Sequence, residues 1–512
     1  MLKGMQPHDE GLMLQAAERI ASGELPYKDF WWFYPPGQPY LLAGLVKVFG
    51  TSLLWWRVVR VLTNAAVALL VYLLARREAG RGLALLAWAV AAVGMAAPTG
   101  PHPYPIAMAL SIACLLVLGR SPALAGVLVG ACALFRIEFA AYLGAGVVLG
   151  YLVRPGPGGR GMALRFAAAS VGTALLMFAP VVIPAGISRA WDLLIRYPIE
   201  DFGDYQSLPF PLRYDGPLNF DSLSHARDTV GSILSAQVPL FLLFQLAAVL
   251  FALAVRFKRE NWQHVPVAVL AIGMAHYLVT RPDAFHVTPL AVALAAPTAW
   301  VLADLREAWA GSNRPRWARL GALAAPVAAF VAVWLVLDGV QRWERQWSSD
   351  MVRVHLDVAD GVRELPVYNC SLPGAEPVQI CTLDDLERTV RYVRTRVASD
   401  RPIYVATQRS DLVTSGAPIL YVLADRPSAS RYDIAAPGVI TSAPVQREII
   451  ASLERGGLPL VVRWDASITA APEDNRAGES TGIHLLDDFF ARRYRLAERF
   501  GAYDVLEPRP AS

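Results

Sequence analysis

Two acidic residues, Asp9 and Glu10, stand side by side near the start of the chain, and Asp29 follows in Tyr27-Lys28-Asp29-Phe30. A carboxylate can take a proton from a hydroxyl, the task of a general base, so these three are the candidate catalytic residues. A plainer reading lies beside it. Acidic side chains favour the first turn of a helix, and one begins near Gly11; Asp29 could cap a turn or pair with Lys28. Two arginines, Arg136 with Glu138 and Arg281 with Asp283 and His286, border long apolar runs. Charge at such places is costly and usually faces a polar cavity. The planar guanidinium grips a phosphate bidentately, which makes Arg136 and Arg281 candidate phosphate ligands. The alternative is that each is neutralised by its neighbouring carboxylate. His102, Glu138, Asp283, His286 and Tyr34 are the residues that would line the cavity. His8, His102 and His286 with Asp283 could hold a divalent cation such as Zn or Mn, but no local spacing demands it, and lone histidines more often serve as hydrogen-bonded structural residues.

The elements that must position these residues are hydrophobic. Of 512 residues, 55% are hydrophobic and only 18% charged, which excludes a soluble enzyme. Apolar runs cover 54–74, 83–97, 105–118, 123–135, 139–153, 166–184, 238–255, 265–280, 287–303 and 317–337, so the fold class is a polytopic α-helical membrane domain of about ten spans. The runs within 105–153 are short for full crossings. Alternate connections carry the basic residues: Arg76, Arg77 and Arg81; Arg120; Arg154, Arg160 and Arg165; Arg256, Lys258 and Arg259; Arg306, Arg314, Arg316 and Arg319. The intervening short ones carry only Arg136 and Arg281. By the positive-inside rule the basic connections are cytoplasmic, and the N-terminal segment, the loop 185–237 and the chain after Asp338 lie outside. No Lys/Arg-dense stretch points to nucleic acid.

Three domains follow: 1–53, an extracytoplasmic loop with two interfacial helices (12–22 and 40–49) and an aromatic run, Phe30 to Tyr34, at headgroup depth; 54–340, the multi-span domain; and 341–512, a small extracytoplasmic α/β domain. In the last, apolar runs of strand length at 402–406 and 458–464 alternate with amphipathic helices at 383–397, 446–453 and 485–494. Its Cys370 and Cys381 lie where a disulfide can persist, whereas Cys114 and Cys132 fall in spans as small apolar side chains.

The order of acidic pair, helix, Leu25-Pro26-Tyr27-Lys28-Asp29-Phe30, Tyr34-Pro35-Pro36-Gly37, second helix and span resembles the first extracytoplasmic loop of GT-C membrane glycosyltransferases. It is most similar to the branch of protein O-mannosyltransferases, lipid A aminoarabinose transferases and RgtABCD-like proteins. The resemblance implies transfer of a sugar from a polyprenyl-phosphate donor to an acceptor on the outer face, with Asp9 as base. In that family a spanning helix precedes the acidic pair. Here Met1 stands eight residues before Asp9, which favours a start placed too late over a shortened member. The sequence names neither sugar nor acceptor, which could be glycan, lipid or protein. A transporter or flippase of a lipid-linked substrate, or an inactive scaffold of the same fold, remains an alternative.

The charge pattern predicts that, in intact cells, an impermeant thiol reagent labels a cysteine placed at Ser349 and not one at Ser312. The reverse result would invert the topology.

Overall fold

The computed structural model describes residues 8–51, 53–96, 103–310, 383–436, 438–465 and 474–510. The predicted span at 317–337, His102, Cys370 and Cys381 lie outside the described residues.

Leucine, valine and alanine runs without helix-breaking polar groups form the bundle. Its helices are α3 (Leu53–Ala75), α4 (Arg81–Met95), α5 (Tyr104–Val117), α6 (Pro122–Ala133), α7 (Ile137–Val153), α8 (Gly159–Ala185) and, after a connection holding α9 (Ile187–Trp191), α10 (Gly203–Gln206) and α11 (Leu223–Ala236), α12 (Val238–Val255), α13 (His264–Thr280) and α14 (Ala284–Ala310). Among the described residues four helices are long and apolar enough to cross a membrane: Trp55–Ala75, Gly159–Ala185, Val238–Val255 and Phe285–Glu307. Five shorter apolar helices pack among them, notably α6 on α8 and α13 on α7. Glycines permit the closest approaches. A Cβ on Gly126 or Gly130 of α6 would fall 2.4 or 2.5 Å from carbonyl oxygens of α8, the small-residue contact typical of helices packed in lipid. Cys114 and Cys132 are buried free thiols inside this core, as expected.

The helix directions gather the basic connections at one end. There Glu78 accepts from Arg256 at 3.2 Å and His264 at 2.6 Å, Arg256 also pairs with Asp304, and Arg77 donates to the Leu115 and Leu116 carbonyls near the end of α5. The starts of α3, α5, α7 and α14 and the end of α13 lie at the other end, with Tyr104, Arg136 and Arg281.

The C-terminal part is an α/β unit. Its four-stranded sheet has the order β1 (Tyr404–Thr407), β2 (Val461–Trp464), β4 (Tyr503–Pro508), β3 (Tyr494–Phe500). Parallel β1 and β2 are the two predicted strands, reached through the helix Ala443–Arg455. The antiparallel hairpin β3–β4 was not foreseen. β3 reads Tyr-Arg-Leu-Ala-Glu-Arg-Phe and is exposed over most of its length, so it lacks a buried apolar run.

The N-terminal segment departs from its expected setting. Helix α1 (Asp9–Ala21) is buried almost all round, by α2 (Gly37–Phe49), by α3 and by the short helix Ile419–Ala424 of the α/β unit. The run Phe30, Trp31, Trp32 and Phe33 is no more than 6% exposed. Its rings pack on one another and on Tyr197 and Phe202 of a π-helical segment, Asp192–Phe202, that follows α8. The aromatics therefore fill a protein core shared by the N-terminal segment and the sheet unit.

Gly11 marks the tightest point. A Cβ there would lie 2.1 Å from the Ile419 backbone nitrogen. Gly11→Ala is therefore expected to cost about 1–3 kcal/mol by overpacking, read as earlier thermal unfolding in detergent. Gly44→Ala, in α2 with open space at its Cβ, should be neutral or slightly stabilising. Equal melting of the two variants would show that α1 does not dock as described.

Candidate active site

The site begins with α1. The helix starts at Asp9, and His8, which precedes it, makes no side-chain cap. Asp9 is therefore a first-turn residue and keeps part of its surface open. Glu10 is wholly buried, and both its oxygens are taken by Arg57 of α3, at 3.1 and 3.0 Å. The acidic pair thus divides: Glu10 ties α1 to the bundle, and Asp9 faces the groups around Tyr34.

The motif between α1 and α2 places Tyr34. The Asp29 carboxylate accepts the Leu25 amide at 2.8 Å, closing a turn, and is itself exposed; this is the capping role that was the alternative for Asp29. Tyr27 sits at φ +68°, rare for a bulky residue. Complete burial of its ring and a 2.7 Å bond from its hydroxyl to the Tyr34 carbonyl hold it there. Gly37 brings the loop against the end of α6. Its amide donates to the Leu134 carbonyl at 2.8 Å, and a Cβ would sit 2.6 Å from that oxygen.

Arg136 follows Leu134 by two residues. Its guanidinium pairs with Glu138 at 3.1 Å and donates to the Tyr277 hydroxyl at 3.1 Å. The Tyr277 ring packs against His286, centroids 4.4 Å apart. His286 Nδ1 meets Asp283 at 2.7 Å, and the same carboxylate accepts the Phe285 and His286 amides, capping α14. Arg281 donates to the other Asp283 oxygen at 2.7 Å and to Gln206 through its backbone and side-chain oxygens, at 2.7 and 2.9 Å. Burial alone would push the Asp283 carboxyl up. The hydrogen bonds and charge of His286, with Arg281, outweigh it and hold the group well below the usual carboxylate range.

Electrostatics shows which groups share one space. Burial pushes the Tyr34 phenol up; Arg136 pulls it down, while Asp9, Tyr277 and Glu138 push it further. Tyr34 therefore stays protonated, a hydroxyl donor set among a carboxylate, an arginine and a second phenol. Asp9, Arg136, Glu138 and Tyr277 thus all act on the Tyr34 phenol, and Arg281, Asp283 and His286 are joined to that group where His286 packs on Tyr277. His8 instead bonds the Gly416 carbonyl at 3.2 Å.

Sequence reasoning did not single out Arg57, Arg60, Tyr104, Gln206 or Tyr277. Arg57 and Arg60 were legible: two arginines three apart share one face of an apolar helix, and the rule that pointed to Arg136 applies to them equally. Tyr277 and Gln206 carry no sequence pattern of their own.

Among the described residues one set of three side chains could hold a metal ion: Asp411, His484 and Asp487 of the α/β unit. Asp411 is already served by Arg409, at 2.9 and 2.7 Å, and by Ser480; Asp487 accepts from the Ser410 amide and hydroxyl. The set reads as a knot that ties the loop after β1 to the one before the helix Leu485–Arg493.

The sequence matches no protein-family model and no curated protein. Its structure is similar to that of ArnT from Cupriavidus metallidurans bound to undecaprenyl phosphate, with a TM-score of 0.52, 14% identity, and coverage of 99% of this chain and 94% of that one. It is also similar to the arabinofuranosyltransferase AftD from Mycobacteria, with a TM-score of 0.48, 15% identity, and coverage of 100% of this chain and 38% of that one. With its apolar bundle, its carboxylate-bearing first loop and its trailing α/β unit, the chain has the fold of the GT-C membrane glycosyltransferases.

Proposed function

We propose that the protein is a membrane glycosyltransferase that moves a sugar from a polyprenyl-phosphate donor to an acceptor hydroxyl on the extracytoplasmic face. The observation that carries this reading is the buried Tyr34 phenol at one end of an apolar helix bundle, acted on by the Asp9 carboxylate and by the hydrogen-bonded Arg136 and Tyr277. That end is opposite to the one gathering the basic connections, which the positive-inside rule makes cytoplasmic. The structural neighbour that holds undecaprenyl phosphate supports the class of donor.

In the reaction Asp9 takes the proton of the acceptor hydroxyl as its oxygen bonds the anomeric carbon. The bond from that carbon to the phosphate oxygen breaks, and the electron pair leaves with the polyprenyl phosphate. Arg136 and Arg281 lie where the phosphate would be steadied, and Tyr34 and Tyr277 offer neutral donors to the sugar or the phosphate. His286 and Glu138 act by orienting Asp283, Tyr277 and Arg136.

Asp9→Asn keeps the shape of the side chain and removes its basicity. It should lower sugar transfer from a polyprenyl-phosphate donor in membranes by about 100-fold or more, with expression and melting unchanged. Full activity would remove Asp9 as the base and move that role to Glu10. Arg281→Lys should weaken donor binding more than it slows turnover, because lysine cannot span Asp283 and Gln206 as the guanidinium does.

Glu10→Gln should fail differently. It leaves the Arg57 charge buried without its carboxylate, at a cost of about 3–5 kcal/mol, so loss of folded protein should precede any kinetic defect. A stable Glu10→Gln protein with a purely kinetic defect would instead move the base to Glu10.

A further inference from the structure

The arginines at this end of the bundle are not all paired. Arg136 has Glu138, Arg281 has Asp283, and Arg57 has Glu10. Arg60, one turn beyond Arg57 on α3, is 5% exposed, and among the described residues its guanidinium makes no hydrogen bond or ion pair; its Nη1 is fully enclosed. The charged and titratable groups that act on it are Glu10, Arg57 and Tyr104. Glu10 is already shared by both oxygens with Arg57, so two buried cations stand against one carboxylate. A guanidinium in this state is expensive, because burial removes its water and nothing replaces it.

Arg60 is not reaching toward lipid headgroups. The lipid-facing side of α3 is marked by Leu62, Leu69 and Leu73, which are 65%, 54% and 44% exposed. Arg60 lies on the opposite side, in line with the fully buried Val67 and Val71. Asn64 shares that inner side. Its amide donates to the Met95 carbonyl at 2.6 Å, while its own carbonyl oxygen is buried with no partner among the described residues. A polar strip therefore runs inward from the site along a spanning helix. Tyr104 feels both Arg60 and Arg136, which places the lone arginine beside the proposed reaction space.

We infer that Arg60, held beside the Arg57–Glu10 pair, is the seat of a phosphate oxygen of the lipid carrier. The inference rests on the polyprenyl-phosphate reading above and adds to it a guanidinium that no described carboxylate pairs. As the sugar leaves, the phosphate gains negative charge; Arg136 and Arg281 are already neutralised by their carboxylates, and Arg60 is not.

The test is binding to the full-length protein in nanodiscs, with polyprenyl phosphate, the matching polyprenol and inorganic phosphate as separate probes. Polyprenyl phosphate should bind and raise the melting temperature, and polyprenol and inorganic phosphate at the same concentration should not. Arg60→Gln should weaken polyprenyl-phosphate binding by about tenfold to a hundredfold, the worth of a hydrogen bond to a charged group. The empty variant should melt at or above the wild type, since an unpaired buried charge has been removed; Arg60→Lys should recover part of the binding. Undiminished binding by Arg60→Gln, or a variant that melts well below wild type, would overturn the assignment. Inorganic phosphate protecting as well as the lipid would overturn the lipid as its source. Binding is read without turnover. A protein that binds the lipid through Arg60 but transfers no sugar would sink the transferase reading and leave this seat standing.

Discussion

The buried carboxylate of Glu10 constrains everything around the site. It is wholly enclosed, so its charge is tolerable only with both oxygens filled, and the Arg57 fork fills them. Two parallel bonds fix orientation as well as distance, which locks the first turn of α1 to the second turn of α3. Asp9, one residue earlier, inherits that position. Its freedom is limited further from the other side, where Gly11 lies against Ile419 and Arg19 is held by Asp433 at 2.9 Å, Glu24 at 2.6 Å and the Ser430 carbonyl at 3.1 Å. The guanidinium of Arg19 also lies over the Phe30 ring, 4.8 Å from its centre. The α/β unit is thus a second wall for α1, packed against the helix that carries the proposed base.

The same logic explains why so much of the first loop is aromatic. A carboxylate, two phenols and an arginine can be held in register only by surroundings that do not yield. Trp31 and Phe33 wedge between α1, the π-helical segment after α8 and the sheet unit, and the Trp31 amide bonds the Arg431 carbonyl at 2.9 Å. Tyr205, beside the Gln206 that meets Arg281, packs on Gly438 and lies under Arg476 of the sheet unit, 4.2 Å from its guanidinium. The loop after α8 therefore joins the site and the α/β unit directly. Large rigid side chains supply that contact area with little loss of rotamer freedom.

The charge pairs divide the labour. Carboxylates beside Arg136 and Arg281 orient those guanidiniums and cancel much of their field, so they present directed N–H groups rather than bare charge. The lone Arg60 supplies field without a partner. A site that must hold one negative charge in the donor and more in the leaving group can use both kinds.

The sequence by itself determined the bundle, because the length and spacing of apolar runs are set by the hydrocarbon, and the placement of its arginines is what predicts the polarity. The run 238–255 was read to the residue as α12, and most other helices lie within a few residues of their observed ends. Arg136 and Arg281 stood out as candidates because ionisable residues beside apolar runs are costly enough to require a reason, and Asp9 because of the loop motif that follows it. Local spacing also showed Asp283 and His286 on one helical face, as they are. Only the tertiary structure decided which carboxylate Arg57 encloses. Asp9 and Glu10 are adjacent and alike in type, and what separates them is an arginine 47 residues on that closes over one of them. Only the fold, likewise, turned the aromatic run inward, since whether a tryptophan meets lipid or protein depends on what packs over it. Here that is Tyr197 of the segment after α8, about 170 residues later in the chain, whose contact no local pattern encodes. Burial and pairing are properties of the assembled surroundings, and a sequence names the residues without stating which of them will meet.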